Sequence, residues 1–152
     1  MQDLIFDLES PLKTQLKIDG KNDFADLDKL YLVAPTYKQR DLTIAVKKMY
    51  FEALFAMTST VKREEAAEKV DGDKQMDEKA ISMVLLMAKD FDLVKFHNQF
   101  SKLLLEVTFK DEEKTQKLNS LDLQKLEEND FEKLVSKYIA FFLMSSWMKA
   151  IS

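Results

Sequence analysis

Leu12-Lys13-Thr14-Gln15-Leu16-Lys17-Ile18, followed by Asp19-Gly20, is the stretch on which the fold assignment turns. Leu12, Thr14, Leu16 and Ile18 alternate with Lys13, Gln15 and Lys17, the period of a strand with one face buried. Asp-Gly directly after such a run is a hairpin signal, because both residues tolerate the positive φ that a tight turn requires. Two further β-prone runs flank it: Leu4-Ile5-Phe6 upstream, set off by Ser10-Pro11, and Leu30-Tyr31-Leu32-Val33 downstream. Together these predict a small N-terminal antiparallel hairpin or sheet over residues 1–35. Phe24 and Leu27, in the acidic connection, are expected to pin it to the core.

Beyond this the text changes period. Pro35 ends the extended run, and Thr36 with Gln39 three residues later matches a capping box. Leu42, Ala45, Val46, Met49, Ala53, Ala56 and Met57 then recur at three-and-four spacing, while Phe51, Leu54 and Phe55 widen the apolar arc. This first helix is expected to touch neighbours on more than one side. From Val61 to Asp77 the chain is charged, with Asp71-Gly72-Asp73 as a turn, and a loop is expected near 62–77. A second helical region begins near Glu78 and runs past Val107, as one helix or as two joined near Asp90-Phe91-Asp92. Lys110 to Lys117 reads as another charged link. Leu118 to Leu126 reads as a short helix entered from Asn119 or Ser120, and Asn129-Asp130-Phe131-Glu132 as the cap of a last helix. Phe131, Leu134, Val135, Tyr138, Ile139, Phe142 and Leu143 form that helix's apolar face. The fold class is therefore α+β and predominantly helical: a single domain over 1–152, with a helical bundle over 36–152 under a small sheet.

Composition agrees and narrows function. The 152 residues include only 2 Gly and 2 Pro, 46% are hydrophobic, and Lys, Glu, Leu, Ala and Met, all good helix formers, dominate. The absence of cysteine excludes disulfides, thiolate metal sites and cysteine nucleophiles, and fits a reducing cytoplasm. No cationic, apolar leader opens the chain, and the longest apolar run, Tyr138 to Met144, is far shorter than the roughly 20 residues that cross a bilayer. Neither secretion nor a membrane partner is expected. The net charge of −4, with both signs interleaved, offers no basic stripe for nucleic acid.

Catalytic, metal and cofactor sites are not expected. His97 is the lone histidine and is read as a polar or half-buried helix residue. Asp71-Gly72-Asp73 lacks the glutamate of a calcium loop, its twelfth position being Ser82, and two distant glycines make no phosphate loop. Asp111-Glu112-Glu113 and Glu127-Glu128 sit in charged links and are expected to be solvated. What stands out is apolar surplus. Eight methionines and eleven phenylalanines exceed a simple stripe, and Phe141-Phe142 with Trp147 cannot all face one small core. Phe51, Leu54, Phe55, Phe141, Phe142 and Trp147 are the candidate partner-binding residues.

Two stretches carry a resemblance. Leu12 to Lys21, then Leu30-Tyr31-Leu32-Val33-Ala34-Pro35-Thr36 and Arg40-Asp41, resemble the N-terminal β element of tail assembly chaperones of long-tailed bacteriophages. Leu121 to Leu126, Asp130 to Val135 and the closing Phe141-Phe142 are similar to the C-terminal helices of the same family; the charged middle from Lys62 to Asp77 has no counterpart. The resemblance implies a non-enzymatic factor of the infected host's cytoplasm that coats the helical tape measure protein and helps recruit tail tube protein. If the resemblance extends only to a phage origin, a structural component of the baseplate or connector, or an inhibitor of host defence, is the alternative, and an enzyme would need a concave site with buried carboxylates. A homo-oligomer remains an open alternative to a monomer.

Overall fold

The structure, a computed structural model, describes residues 3–60, 78–88 and 90–151. The charged stretch near 62–77, with its Asp71-Gly72-Asp73 turn, lies outside the described residues. Strands β1 (Leu4–Ile18) and β2 (Lys21–Leu32) lead into a 3-10 turn (Tyr37–Gln39) and helix α1 (Arg40–Thr60). Then come α2 (Glu78–Met87), α3 (Leu93–Val107), β3 (Thr108–Phe109), α4 (Ser120–Lys125) and α5 (Glu128–Tyr138). A π-helical turn (Ile139–Leu143) joins α5 to α6 (Met144–Ile151). The α+β reading holds: a three-stranded antiparallel sheet in the order β1-β2-β3 lies against a helical bundle.

The hairpin is longer than its apolar pattern predicts. Asp19 and Gly20 both take positive φ (52° and 81°), as the tight turn demands, and Gly20 has open space where a Cβ would sit, so its role there is conformational. Below the turn the two expected runs, 4–6 and 12–18, fuse into one strand, because Pro11 falls inside a bulge where no ladder N–H is needed. Pairing passes from Asp7↔Lys29 to Leu12↔Leu27, so Leu8 to Pro11 face Asp28 alone. The acidic connection is itself β2. Phe24 pairs with Gln15 on the outer face and is 58% exposed, so it does not pin the hairpin as expected, whereas Leu27 does pack on the core. Only the start of β2, Lys21 to Phe24, is exposed on both faces and so needs no apolar alternation, whereas its partner β1 buries Leu12 and Thr14. The third strand is Thr108–Phe109 and pairs with Tyr31 and Leu32.

The free edge of β1 is blocked by side chains. Lys125 Nζ donates to Lys13 O (3.4 Å), Lys110 Nζ to Gln15 O (2.8 Å), and the Gln116 amide exchanges two bonds with the Lys17 backbone (2.7 and 3.1 Å). Long-chain side groups on an edge discourage strand-on-strand association.

Thr36 and Gln39 meet as the capping pattern suggests, with Gln39 Oε1 accepting from the Thr36 N–H (2.8 Å) and hydroxyl (3.0 Å). The second helical region is two helices: Asp90 takes φ 59°, and the Asp92 side chain caps α3 by accepting from Lys95 N–H (2.9 Å). Asn119 caps α4. The last helix starts earlier than expected, at Glu128, and Asp130 is buried inside its first turn instead of capping it. Asp111 is more than a solvated acid, for it accepts from the N–H groups of Thr115 (3.0 Å) and Gln116 (2.9 Å) and so folds the charged link; Glu112, Glu113, Glu127 and Glu128 are exposed as expected. Though burial works against it, these bonds and the Thr115 hydroxyl hold the Asp111 carboxyl below its usual range.

One core joins all layers. Leu4, Phe6, Leu30 and Leu32 from the sheet meet Val46 and Tyr50 of α1, Ile81 and Val84 of α2, Phe96, Phe100, Leu103 and Leu104 of α3, and Leu134, Tyr138 and Ile139. Tyr138 crosses it: its ring stands edge-on to Phe100 (6.0 Å), and its hydroxyl donates to Val33 O (2.9 Å), so the ring's polar end is satisfied.

His97 is half-buried, as expected, edge-on to Phe131 at 5.0 Å. Burial lowers its pKa from 6.5, against the opposing pull of Glu128. The folded state therefore binds its proton less readily than the unfolded chain. The stability this gives is complete above pH 6.5 and is lost as pH falls from there toward the depressed folded value. We expect urea midpoints of the wild type to fall between pH 7.5 and 5.5 by more than those of His97→Gln. Equal falls in the two proteins would contradict this.

Candidate functional site

The π turn determines which of the C-terminal aromatics reach the surface. In an unbroken α-helix the buried ridge of Val135, Tyr138 and Ile139 would continue to Phe142 and then to Ser145 and Ser146. Here the Met144 N–H bonds to Ile139 O, five residues back, so the turn holds an extra residue and the ridge moves forward to Leu143, Met144 and Trp147. Trp147 is consequently only 4% exposed, packed on Tyr50 (5.6 Å) and Phe51 (6.1 Å), and is not the open surface residue expected. Phe141 stays outside, 46% exposed, edge-on to a half-buried Phe142 at 4.7 Å.

Across from this turn lies the connection from β2 into α1. Ala34, Pro35, Thr36, Tyr37, Arg40 and Thr43 form one wall of a groove; Phe141, Phe142, Leu143, Ser145, Ser146 and Trp147 form the other, around a volume of about 580 Å³. Tyr37 is 80% exposed, so each rim carries an aromatic ring. Arg40 lies over the Tyr37 ring at 5.1 Å and donates from Nη1 to its hydroxyl at 3.2 Å. Among the described residues it is the only charged one lining the groove, and it forms no ion pair with any of them.

Of the six residues expected to bind a partner, Phe141, Phe142 and Trp147 come together here, the last as floor. Phe51 and Phe55 adjoin through Trp147, with Phe51 and Phe55 6.3 Å apart and Phe55 63% exposed. Leu54, on the same helix, is buried in the core and cannot present itself to a partner. Tyr37 and Arg40 were not anticipated. Their spacing, three residues apart beside a proline, is visible in the text, but nothing in it says that the C-terminal helix faces them.

The groove has the make-up of a binding surface: aromatic and hydroxyl-fringed, with the Arg40 cation at its rim. Elsewhere, the Ser101 hydroxyl donates to the His97 main-chain carbonyl (2.7 Å) and not to its ring, and no group of three or more His, Asp or Glu able to hold a metal ion occurs among the described residues. A second hollow, about 540 Å³, between α1 and the α2–α3 joint, has acids (Glu52, Asp90, Asp92) beside cations (Lys48, Lys95) in an open setting. No helix among the described residues is long and apolar enough to cross a membrane. No family model matches the chain, and comparison with curated proteins and with solved structures finds no match either.

Proposed function

We propose that this protein is a non-enzymatic tail assembly chaperone of a long-tailed bacteriophage, working in the host cytoplasm, which binds the tape measure protein and helps recruit tail tube subunits. The observation that carries the reading is the aromatic groove between Tyr37 and Phe141, an apolar surface that the fold leaves open although a shift of one helical residue has taken Trp147 inside. A tape measure chain is long and helical, and its apolar faces aggregate when uncovered. A groove with aromatic rims accepts such a face by the helix-in-groove mode, in which a few large anchors supply most of the affinity. Phe51 and Phe55, continuous with the groove through Trp147, extend the apolar track along α1. The resemblance of the β element and the C-terminal helices to this chaperone family points the same way.

Co-expression tests it. The wild type is expected to keep a tape measure fragment soluble that precipitates when made alone. Phe141→Asp should lose that ability by tenfold or more, the size of one hot-spot residue, yet melt near the wild-type temperature because Phe141 is at the surface. A wild type that leaves the fragment insoluble would overturn the proposal.

A further inference from the structure

Within that helix-binding reading, on which this step rests, we propose that the groove selects an acidic amphipathic helix, one that sets a carboxylate beside its apolar anchors. Three observations converge on the choice. Among the described residues, Arg40 is the only charged one lining the groove, and it has no carboxylate partner there. Its guanidinium is already held over the Tyr37 ring and bonded to the Tyr37 hydroxyl, so little side-chain freedom is lost when an anion arrives. Other polar groups around the lining, on Thr36, Thr43, Ser145 and Ser146, are hydroxyls, which carry no charge to compete with it.

The setting strengthens the cation's effect. A helix lying between Tyr37 and Phe141 would exclude water from the guanidinium, and a charge-assisted bond in a drier site is stronger than the same bond at an open surface. The chain as a whole carries −4, so long-range attraction favours basic partners; any preference for an acid must arise locally, at Arg40.

The test uses two synthetic amphipathic peptides with the same Leu and Phe face, one carrying Glu and the other Gln at the positions flanking that face. Binding to the full chain is followed by fluorescence anisotropy at physiological salt. The Glu peptide is expected to bind about fivefold tighter than the Gln peptide. Arg40→Gln should remove the difference and Arg40→Glu reverse it, while Phe141→Asp weakens both peptides. If the wild type binds both equally and Phe141→Asp weakens both, the acidic preference is overturned and the groove reading stands. If neither peptide binds, this inference fails on its own account, and the solubility of the co-expressed tape measure fragment separately decides whether the groove reading fails with it.

Discussion

Asp122→Ala is expected to destabilise the fold by about 3–5 kcal/mol, the range for breaking a buried ion pair by removing one partner. Asp122 and Lys110 are both buried, with Nζ to Oδ2 at 3.0 Å. The same carboxylate accepts from the hydroxyl of Thr14, fully buried on β1, and from the Asn119 N–H (3.2 Å), while the Asp122 N–H returns a bond to Asn119 Oδ1 (2.9 Å). One side chain thus ties the sheet, the link after β3 and the start of α4 together. Removing it leaves the Lys110 ammonium with the Gln15 carbonyl (2.8 Å) and no counter-charge. Lys110→Met in the Asp122→Ala background should recover part of the loss, because the stranded charge goes with it. Burial pushes the Asp122 carboxyl up, but the Thr14 hydroxyl, Lys110 and the Asn119 N–H together hold it below its ordinary 3.8. The stability from that depression is present above about pH 4 and disappears as pH falls through the folded value, so the wild type should lose stability in that acid range more steeply than Asp122→Ala. Urea melts of the single and double variants from pH 7 to pH 3 measure both effects, and a loss under 1 kcal/mol at pH 7 would rule out the pair as a structural tie.

The reach of the sequence ends where these carboxylates begin. Periodicity located α1, α3 and α5 because apolar spacing is a local property of a helix. Caps and turns were legible for the same reason: Thr36 with Gln39, Asn119 before α4 and Asp19-Gly20 all act within a few residues. Asp122 reaches Thr14, and Asp130 the N–H groups of Glu9 and Ser10, more than 100 residues away on β1, and no local pattern announces those contacts. The start of β2 was hidden for a related reason, since Lys21 to Phe24 are exposed on both faces and leave no apolar alternation to read. Of the candidate site, the aromatic surplus was legible in Phe141 and Phe142. What hid the rest was a single extra residue per turn at Ile139–Leu143, which exchanges the fates of Trp147 and Ser146, and the tertiary approach of Tyr37 and Arg40 to that turn.

Asp130→Ala is expected to cost about 2–4 kcal/mol, from two bonds to a carboxylate lost at once and two N–H groups left in part without partners. The β1 bulge turns the N–H groups of Glu9 and Ser10 away from β2, and buried Asp130 accepts them with its two oxygens, at 3.0 and 3.1 Å. Around it, Asn129 donates to Glu9 (3.0 Å) and Lys133 pairs with the same carboxylate, but these contacts are exposed, and Glu9→Ala should change stability little. Asp130→Asn keeps one accepting oxygen and should fall between the wild type and the alanine variant. Hydrogen exchange provides the specific readout: the Glu9 and Ser10 amides should be protected in the wild type and exchange quickly in Asp130→Ala, whereas a merely cavity-forming change would leave them protected. The helix that Asp130 ties to the β1 bulge runs straight into the π turn that carries Phe141. Asp130→Ala should therefore weaken peptide binding under conditions where the variant remains folded, and binding equal to wild type would show that the groove holds its shape without this anchor.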